Sequence, residues 1–425
     1  MAGREDARSG SVGRVTVVTE LELPSFDPTD PAMRGERFHA AMADVAAQGW
    51  LALGPYGFLA LDRESVEFFL RTRSATFPGL KMAEIFGVEK GPLYDQIANN
   101  LLNVNGEDHR RLRMLVNPSL SPRAVERYRP VMRDFLAALW EPVAADGRCE
   151  LVGALAKPYP SQVIAHVMGA PLADADRLHH WSNMIQRQFD AVSMLEERHL
   201  IEQATIEFYA YAESLLRARR EDPSDDLISS LIAAEAEGDR LSDTECINLV
   251  FNVLIGGVDT SQSQLTHAIR LLAAHPEQWR LLADDPSLAP RAVDEALRFE
   301  PITPFTARIM LEDITFRDVT FPEGTVVMVC AFTGNRDLDD GDADPDAFDI
   351  TAQRAAARAL TFGAGIHYCL GANLARVELA EALAFLAPRM PGLELDGEPE
   401  YESVSGIYGM ARLPVRWDAS AAQAA

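Results

Sequence analysis

The chain is short of cysteine, of positive charge and of long apolar runs, and each shortage excludes something. Its four cysteines (Cys149, Cys246, Cys330 and Cys369) stand at unrelated spacings. They form no CxxC pair, so a disulfide framework or a tetrahedral zinc site is not expected. Lys and Arg total 39 against 64 Asp and Glu, a formal charge of −25. So acidic a chain has no general basic face for phosphate contacts, and nucleic-acid binding is not expected. No apolar run approaches the ~20 residues of a bilayer span, and no signal-peptide pattern opens the chain. A cytoplasmic protein without membrane attachment is therefore the expectation. No Pro/Gly/Ser-rich linker or repeat divides the 425 residues. One large domain is expected over residues 23–417, between flexible tails at 1–22 and 418–425.

What is present reads mainly as helix. Ser121-Pro122 places an N-cap before proline at the first helical position, and Asp225-Asp226-Leu227 opens another helix. Ser242 and Glu245 have the spacing of a capping box, opening a long helix that is expected to run to about Ala274, before Pro276. Strand signals are few. Gly54-Pro55-Tyr56-Gly57 reads as a turn between two short strands, and Ile314-Thr315-Phe316 and Val326-Val327-Met328-Val329 read as strands. The fold class is mainly α with a small β region.

The stretch from Phe362 to Gly371, FGAGIHYCLG, sets Cys369 in a glycine-rich turn that runs into a helix. Gly363 and Gly365 permit backbone angles and close approaches that a Cβ forbids. Cys369 has no zinc partner at the right spacing and no C-x-x-C-H for covalent haem attachment. What remains is a single axial thiolate under a haem iron, with its pKa expected to be lowered by the helix start. Gly371 would leave room for a macrocycle, and His367 could donate to a propionate. The competing reading is a buried structural cysteine, which leaves the glycines and the histidine without a reason.

Inside the long helix, Gly256-Gly257-Val258-Asp259-Thr260 costs about 1 kcal/mol per glycine relative to alanine. Thr260 stands four residues after Gly256, so its hydroxyl can bond back to that carbonyl and open the helix locally. The missing side chains would leave space for a small ligand. Close helix packing at a glycine pair is the plainer alternative. Further on, Glu295 and Arg298 lie at i, i+3 on one helix face and can pair.

These motifs, in this order, resemble those of the cytochrome P450 family, the haem-thiolate monooxygenases, from about residue 25 to residue 417. The resemblance implies a single large domain with haem b held between the long central helix and the helix after Cys369. It makes Cys369 the axial ligand, and His109, Arg113, Arg308 and His367 the partners of the propionates. Phe362, Gly363, Gly371, Gly256 and Gly257 would border the macrocycle. Thr260 would hydrogen-bond the iron-bound dioxygen or hydroperoxide, and Asp259 would relay protons to it. Glu295–Arg298 would brace the fold, as would Asn335-Arg336-Asp337. Substrate would meet Val253, Ile302, Phe305, Ile407 and Tyr408. Arg110 and Arg111 would add a local basic patch on the cysteine side, suited to an acidic ferredoxin. The remaining histidines, among them His39, His179 and His267, read as ordinary surface or core residues.

The function so implied is insertion of one oxygen atom from dioxygen into a small organic substrate. C–H hydroxylation comes first and epoxidation next, in natural-product biosynthesis, with electrons from ferredoxin and its reductase. The substrate is free or carrier-tethered, and a monomer is expected. The alternatives are a peroxide-driven enzyme of the same fold and a non-catalytic recruiting module. The presence of Asp259, Thr260 and Cys369 together argues against both.

Overall fold

The computed structural model describes residues 16–236, 241–337, 344–354 and 359–422. The helices that shape its interior are α1 (Gly35–Ala46), α2 (Gly106–Val116), α3 (Pro158–Met168), α4 (Ala175–Gln186), α5 (Asp243–Gly257), α6 (Asp259–Ala274), α7 (Ala289–Phe299) and α8 (Ala372–Leu386). The capping box at the start of α5 forms as its spacing predicts, Ser242 and Glu245 satisfying each other's backbone N–H groups. The single helix expected from there to Ala274 does not form. It breaks at Val258, which separates α5 from α6.

The largest sheet has five short strands: β1 (Leu51–Gly54), β2 (Gly57–Ala60), β3 (Ala75–Thr76), β4 (Phe305–Met310) and β5 (Val326–Cys330), ordered β1-β2-β5-β4-β3. The hairpin β1–β2 closes over the predicted Gly54–Gly57 turn. β2 pairs with β5 in parallel, Phe58 opposite Val327, and β4 pairs with β5 antiparallel, Phe305 opposite Cys330. That register places Phe305 at the start of β4 and Arg308 three residues further along, opposite Val327.

One continuous apolar core draws on α2, α3, α4, α5, α6, α7 and α8, and two smaller clusters pack about the sheet. Buried polar bonds tie the helices to one another. Tyr159 on α3 donates to the Glu378 carbonyl of α8 at 3.1 Å. Gln264 on α6 donates to the carbonyls of Ala296 and Glu300 at the end of α7. Part of the expected N-terminal tail, from Thr16, belongs to the packed fold. Thr16–Val17 pairs in parallel with the strand at Val319, and Val18 is wholly buried, while residues 1–15 lie outside the described residues. At the other end Asp418 bonds back to the Pro391 carbonyl and Ala419–Ala422 is helical; residues 423–425 lie outside the description. Among the described residues no helix is long and apolar enough to cross a membrane.

Candidate active site

The loop before α8 owes its path to two left-handed glycines. Gly363 has φ +69° and Gly365 φ +72°. A Cβ on Gly365 would lie 2.7 Å from the Leu70 carbonyl oxygen, so conformation and close approach both require glycine there. The loop folds back on itself as the Cys369 N–H donates to the Phe362 carbonyl at 2.9 Å. Burial pushes the Cys369 thiol up, while the N–H groups of Gly371 and Ala372 and the guanidinium groups of Arg113 and Arg376 pull it down. This reverses the expectation that the helix start would lower it: desolvating the anion outweighs those contacts.

A cavity of about 470 Å³ opens beside this loop. Cys369, Phe362, Gly363 and Gly371 line it from the loop, and Gly256, Gly257 and Thr260 from the α5–α6 junction. Gly256 and Gly371 have no atom within 4 Å of where a Cβ would stand, so both leave open space. Gly257 is different. A Cβ there would come within 2.3 Å of Ile164, so this glycine also serves the packing of α5 on α3.

The basic groups expected to meet propionates converge on the loop. His109 and Arg113 share one face of α2. Arg113 donates to the Ile366 carbonyl at 3.2 Å and also to that of Tyr368. The His109 and His367 rings lie 4.6 Å apart, and His367 contacts Asn105 Oδ1 at 3.2 Å. Arg308 is 5% exposed and, among the described residues, bonds the neighbouring Ala307 carbonyl alone, at 2.8 Å. Burial pushes Arg308 down to about 10, and burial together with His109, Arg308 and Arg113 pushes His367 down to about 4. His109 Nε2 is buried without a partner. Four basic side chains thus share one corner, and among the described residues none of them is paired with a carboxylate. A flat cofactor bearing two carboxylates fits that corner, the open glycines and the cysteine together.

At the helix break, the Thr260 hydroxyl donates to the Gly256 carbonyl at 2.6 Å, the i−4 bond read from the spacing. Asp259 does not line the cavity. Its Oδ2 accepts from Ser182 Oγ of α4 at 3.0 Å, and its Oδ1 lies 3.9 Å from His179 Nδ1. Burial pushes its carboxyl up to about 7, against the Ser182 bond. His179 is therefore the acid's neighbour, a role its sequence position did not suggest.

Glu295 and Arg298 pair through two bonds of 2.8 Å. Arg354, which sequence reasoning passed over, adds two more to the same carboxylate at 3.0 and 3.1 Å. Arg298 also holds the carbonyls of Pro345 and Ala347. Asn335 accepts from the Leu360 N–H at 2.6 Å and donates to Thr361 Oγ1, and Arg336 stacks 3.7 Å from the Phe332 ring centroid. Both elements therefore brace the segment leading into the cysteine loop.

Val253, Ile302, Phe305 and Ile407 line the cavity; Tyr408 does not. The Tyr408 side chain is fully buried, accepts from the Gly35 N–H at 2.8 Å, and packs against Phe38 and His267. His39 and His267 are likewise structural: His39 holds buried Glu300 at 3.0 Å and His267 meets the Tyr408 carbonyl at 3.0 Å. Glu378 was also missed. It lines the cavity from α8 and accepts from Ser261 at 2.8 Å. The expected basic patch is largely neutralised, because Arg110 pairs with Glu107, and Arg111 with Glu245 and Asp108.

A sequence profile described as Cytochrome P450 matches residues 83–283 and 287–386. The chain is 33% identical over 402 residues to luteothin monooxygenase of Streptomyces thioluteus, covering 94% of this chain and 97% of that one. It is 37% identical over 330 residues to mycinamicin IV hydroxylase/epoxidase of Micromonospora griseorubida, covering 76% and 81%. The crystal structure of CalO2 superimposes with a TM-score of 0.85 at 30% identity, covering 93% of this chain and 99% of that one.

Proposed function

The chain belongs to the cytochrome P450 family and is a monooxygenase, and from that premise we propose that Cys369 would supply the thiolate ligand of a haem b. The reaction inserts one atom of dioxygen into a small natural-product intermediate, free or carrier-tethered, chiefly by C–H hydroxylation and next by epoxidation. The observation that carries this is the convergence, on one cavity, of Cys369, the Thr260–Gly256 opening and four basic groups without carboxylate partners among the described residues.

When bound, the haem supplies dioxygen activation driven by two external electrons, with the thiolate donating electron density. The protein does the rest. Arg113, Arg308, His109 and His367 would hold the two propionates. Thr260 presents a hydroxyl at the cavity wall as a proton donor, and Asp259 resupplies it. A carboxyl held near 7 is populated in both forms at neutral pH, as a relay requires. Ser182 fixes the orientation of that carboxyl. Ile302, Phe305 and Ile407 exclude water around the substrate. Electrons come from a ferredoxin through its reductase, and the protein acts as a monomer.

The optical spectrum of the purified holoenzyme tests the cofactor. A thiolate-type band in the reduced CO complex is expected, and it should be lost in Cys369→Ser. No Soret band, even after haem reconstitution, would overturn the reading. Turnover with ferredoxin and reductase, set against hydrogen peroxide alone, tests the electron route; equal rates with peroxide would favour a peroxide-driven enzyme.

A further inference from the structure

The charged side chains lining the cavity are not spread over its walls. Among the described residues, the basic ones are Arg113, Arg308, His109 and His367, all gathered at the cysteine loop, and the one acidic one is Glu378 on α8. Glu378 is bonded to Ser261. Every other lining residue is neutral, including those of α5 and α6 and of the segments at 186–189, 302–305 and 405–407.

The polar groups of this neutral wall include four amides anchored in one way. Gln186 donates its amide nitrogen to the Ile255 carbonyl, Gln188 to that of Ile185 at 2.9 Å, and Asn252 to that of Asn248 at 2.6 Å. Gln264 donates to the carbonyls of Ala296 and Glu300 at 3.4 and 3.2 Å. With one N–H of each amide held by the main chain, and both in Gln264, the side-chain oxygens are oriented as acceptors, beside one remaining N–H on each of Gln186, Gln188 and Asn252. Gln264 is 3% exposed, and its Oε1 is buried without a partner. Asn252, Gly256, Thr260 and Gln264 follow one another at four-residue spacing, so these groups lie along one cavity-facing stripe across the α5–α6 junction.

A carboxylate or ammonium ion brought against this wall would give up its hydration and meet no opposite charge, since Glu378 is bonded to Ser261 and kept largely protonated by its burial. The four basic groups do not offer one, since the proposed cofactor's carboxylates occupy them. A hydroxyl group would meet acceptors already held in place. Resting on the monooxygenase reading above, we infer that the substrate is an uncharged, largely apolar molecule bearing hydroxyl groups, and that Asn252 and its neighbouring amides select it over free acids and amines of the same skeleton.

The test uses the holoenzyme and four probes of one chain length: 1,2-dodecanediol, methyl dodecanoate, dodecanoate and dodecylammonium. Binding is read at pH 7.5 by equilibrium dialysis, below the aggregation threshold of each probe. The diol should bind at least about 10-fold more tightly than either ion. Asn252→Leu should weaken the diol by about 3- to 10-fold and leave the ester unchanged. Asn252→Lys should raise the affinity for dodecanoate and so narrow or invert the ranking. Dodecanoate or dodecylammonium binding as tightly as the diol to the unmodified protein would overturn the inference, as would an Asn252→Leu variant that loses diol and ester equally. Dialysis does not depend on a spectral shift. A thiolate-type spectrum with tight dodecanoate binding would therefore sink this inference alone, and the absence of that spectrum would sink the cofactor assignment beneath it.

Discussion

Ser261 Oγ donates to Glu378 Oε2 at 2.8 Å, joining α6 to α8, and Glu378 Oε1 is left buried without a partner. Burial pushes the carboxyl up to about 8 against the single bond from Ser261. The folded protein therefore keeps a proton that the unfolded chain releases near its ordinary value of 4.5. The sign follows by linkage: this group's contribution is full below about pH 4.5 and is lost as pH rises through about 8. Asp259, pushed up to about 7, acts in the same direction. Glu378→Gln keeps the shape and removes the titration. Its unfolding free energy in urea should match that of the parent near pH 5 and exceed it by about 1–3 kcal/mol near pH 8.5. A parallel pair of pH profiles would show that Glu378 is not held neutral.

The Thr260 hydroxyl, bonded to the Gly256 carbonyl at 2.6 Å, carries the second expectation. Thr260→Ala removes the hydroxyl but not the opening, because Gly256 leaves the space unfilled. Haem content and substrate affinity should hold, while the electrons consumed per product rise several-fold and the surplus is recovered as hydrogen peroxide. Thr260→Ser should restore most of the coupling. A fully coupled Thr260→Ala enzyme would remove the hydroxyl from the proton route.

What the sequence made legible was mostly local. The Thr260–Gly256 bond and the Glu295–Arg298 pair span four and three residues, and each follows from helix geometry. The left-handed glycines of the cysteine loop were readable for the same reason. The break at Val258 was not, since an apolar residue without a nearby proline gives no stop signal. Nor were partners that only the fold brings together: Arg354 lies 59 residues from Glu295, and Ser261 lies 117 from Glu378. Arg110 and Arg111 looked like free charge because Glu245, 134 residues beyond Arg111, could not be placed beside it. Ile407 and Tyr408 are neighbours in a turn, where no period says which side chain faces inward.

Arg308 separates the needs of the cofactor from those of the chain. Its guanidinium is buried beside other basic groups, with no carboxylate partner among the described residues. Arg308→Met should speed haem transfer to an acceptor globin by about 10- to 100-fold, the loss of one charge-assisted hydrogen bond. The same change should stabilise the haem-free protein by about 1–3 kcal/mol, because it removes a buried, unpaired charge. Opposite shifts of holo- and apoprotein are the signature of a propionate partner. A variant that weakens both equally would make Arg308 a packing residue.

Among the described residues Glu295 accepts two hydrogen bonds from Arg298, two from Arg354 and one from the Asp349 N–H at 3.0 Å. It is 6% exposed and Arg298 is 4% exposed, so solvent screening is slight. Replacing the carboxylate strands two guanidinium groups beside the chain that leads into the cysteine loop. Glu295→Gln should cost about 3–5 kcal/mol, the usual consequence of breaking a buried pair from one side. Arg354→Met leaves the Glu295–Arg298 pair intact and should cost less, about 1–3 kcal/mol. The loop should register both changes, in the same order, as a growing fraction of protein whose reduced CO complex lacks the thiolate-type band. If the stability falls while that fraction stays at zero, the brace supports the fold without reaching Cys369.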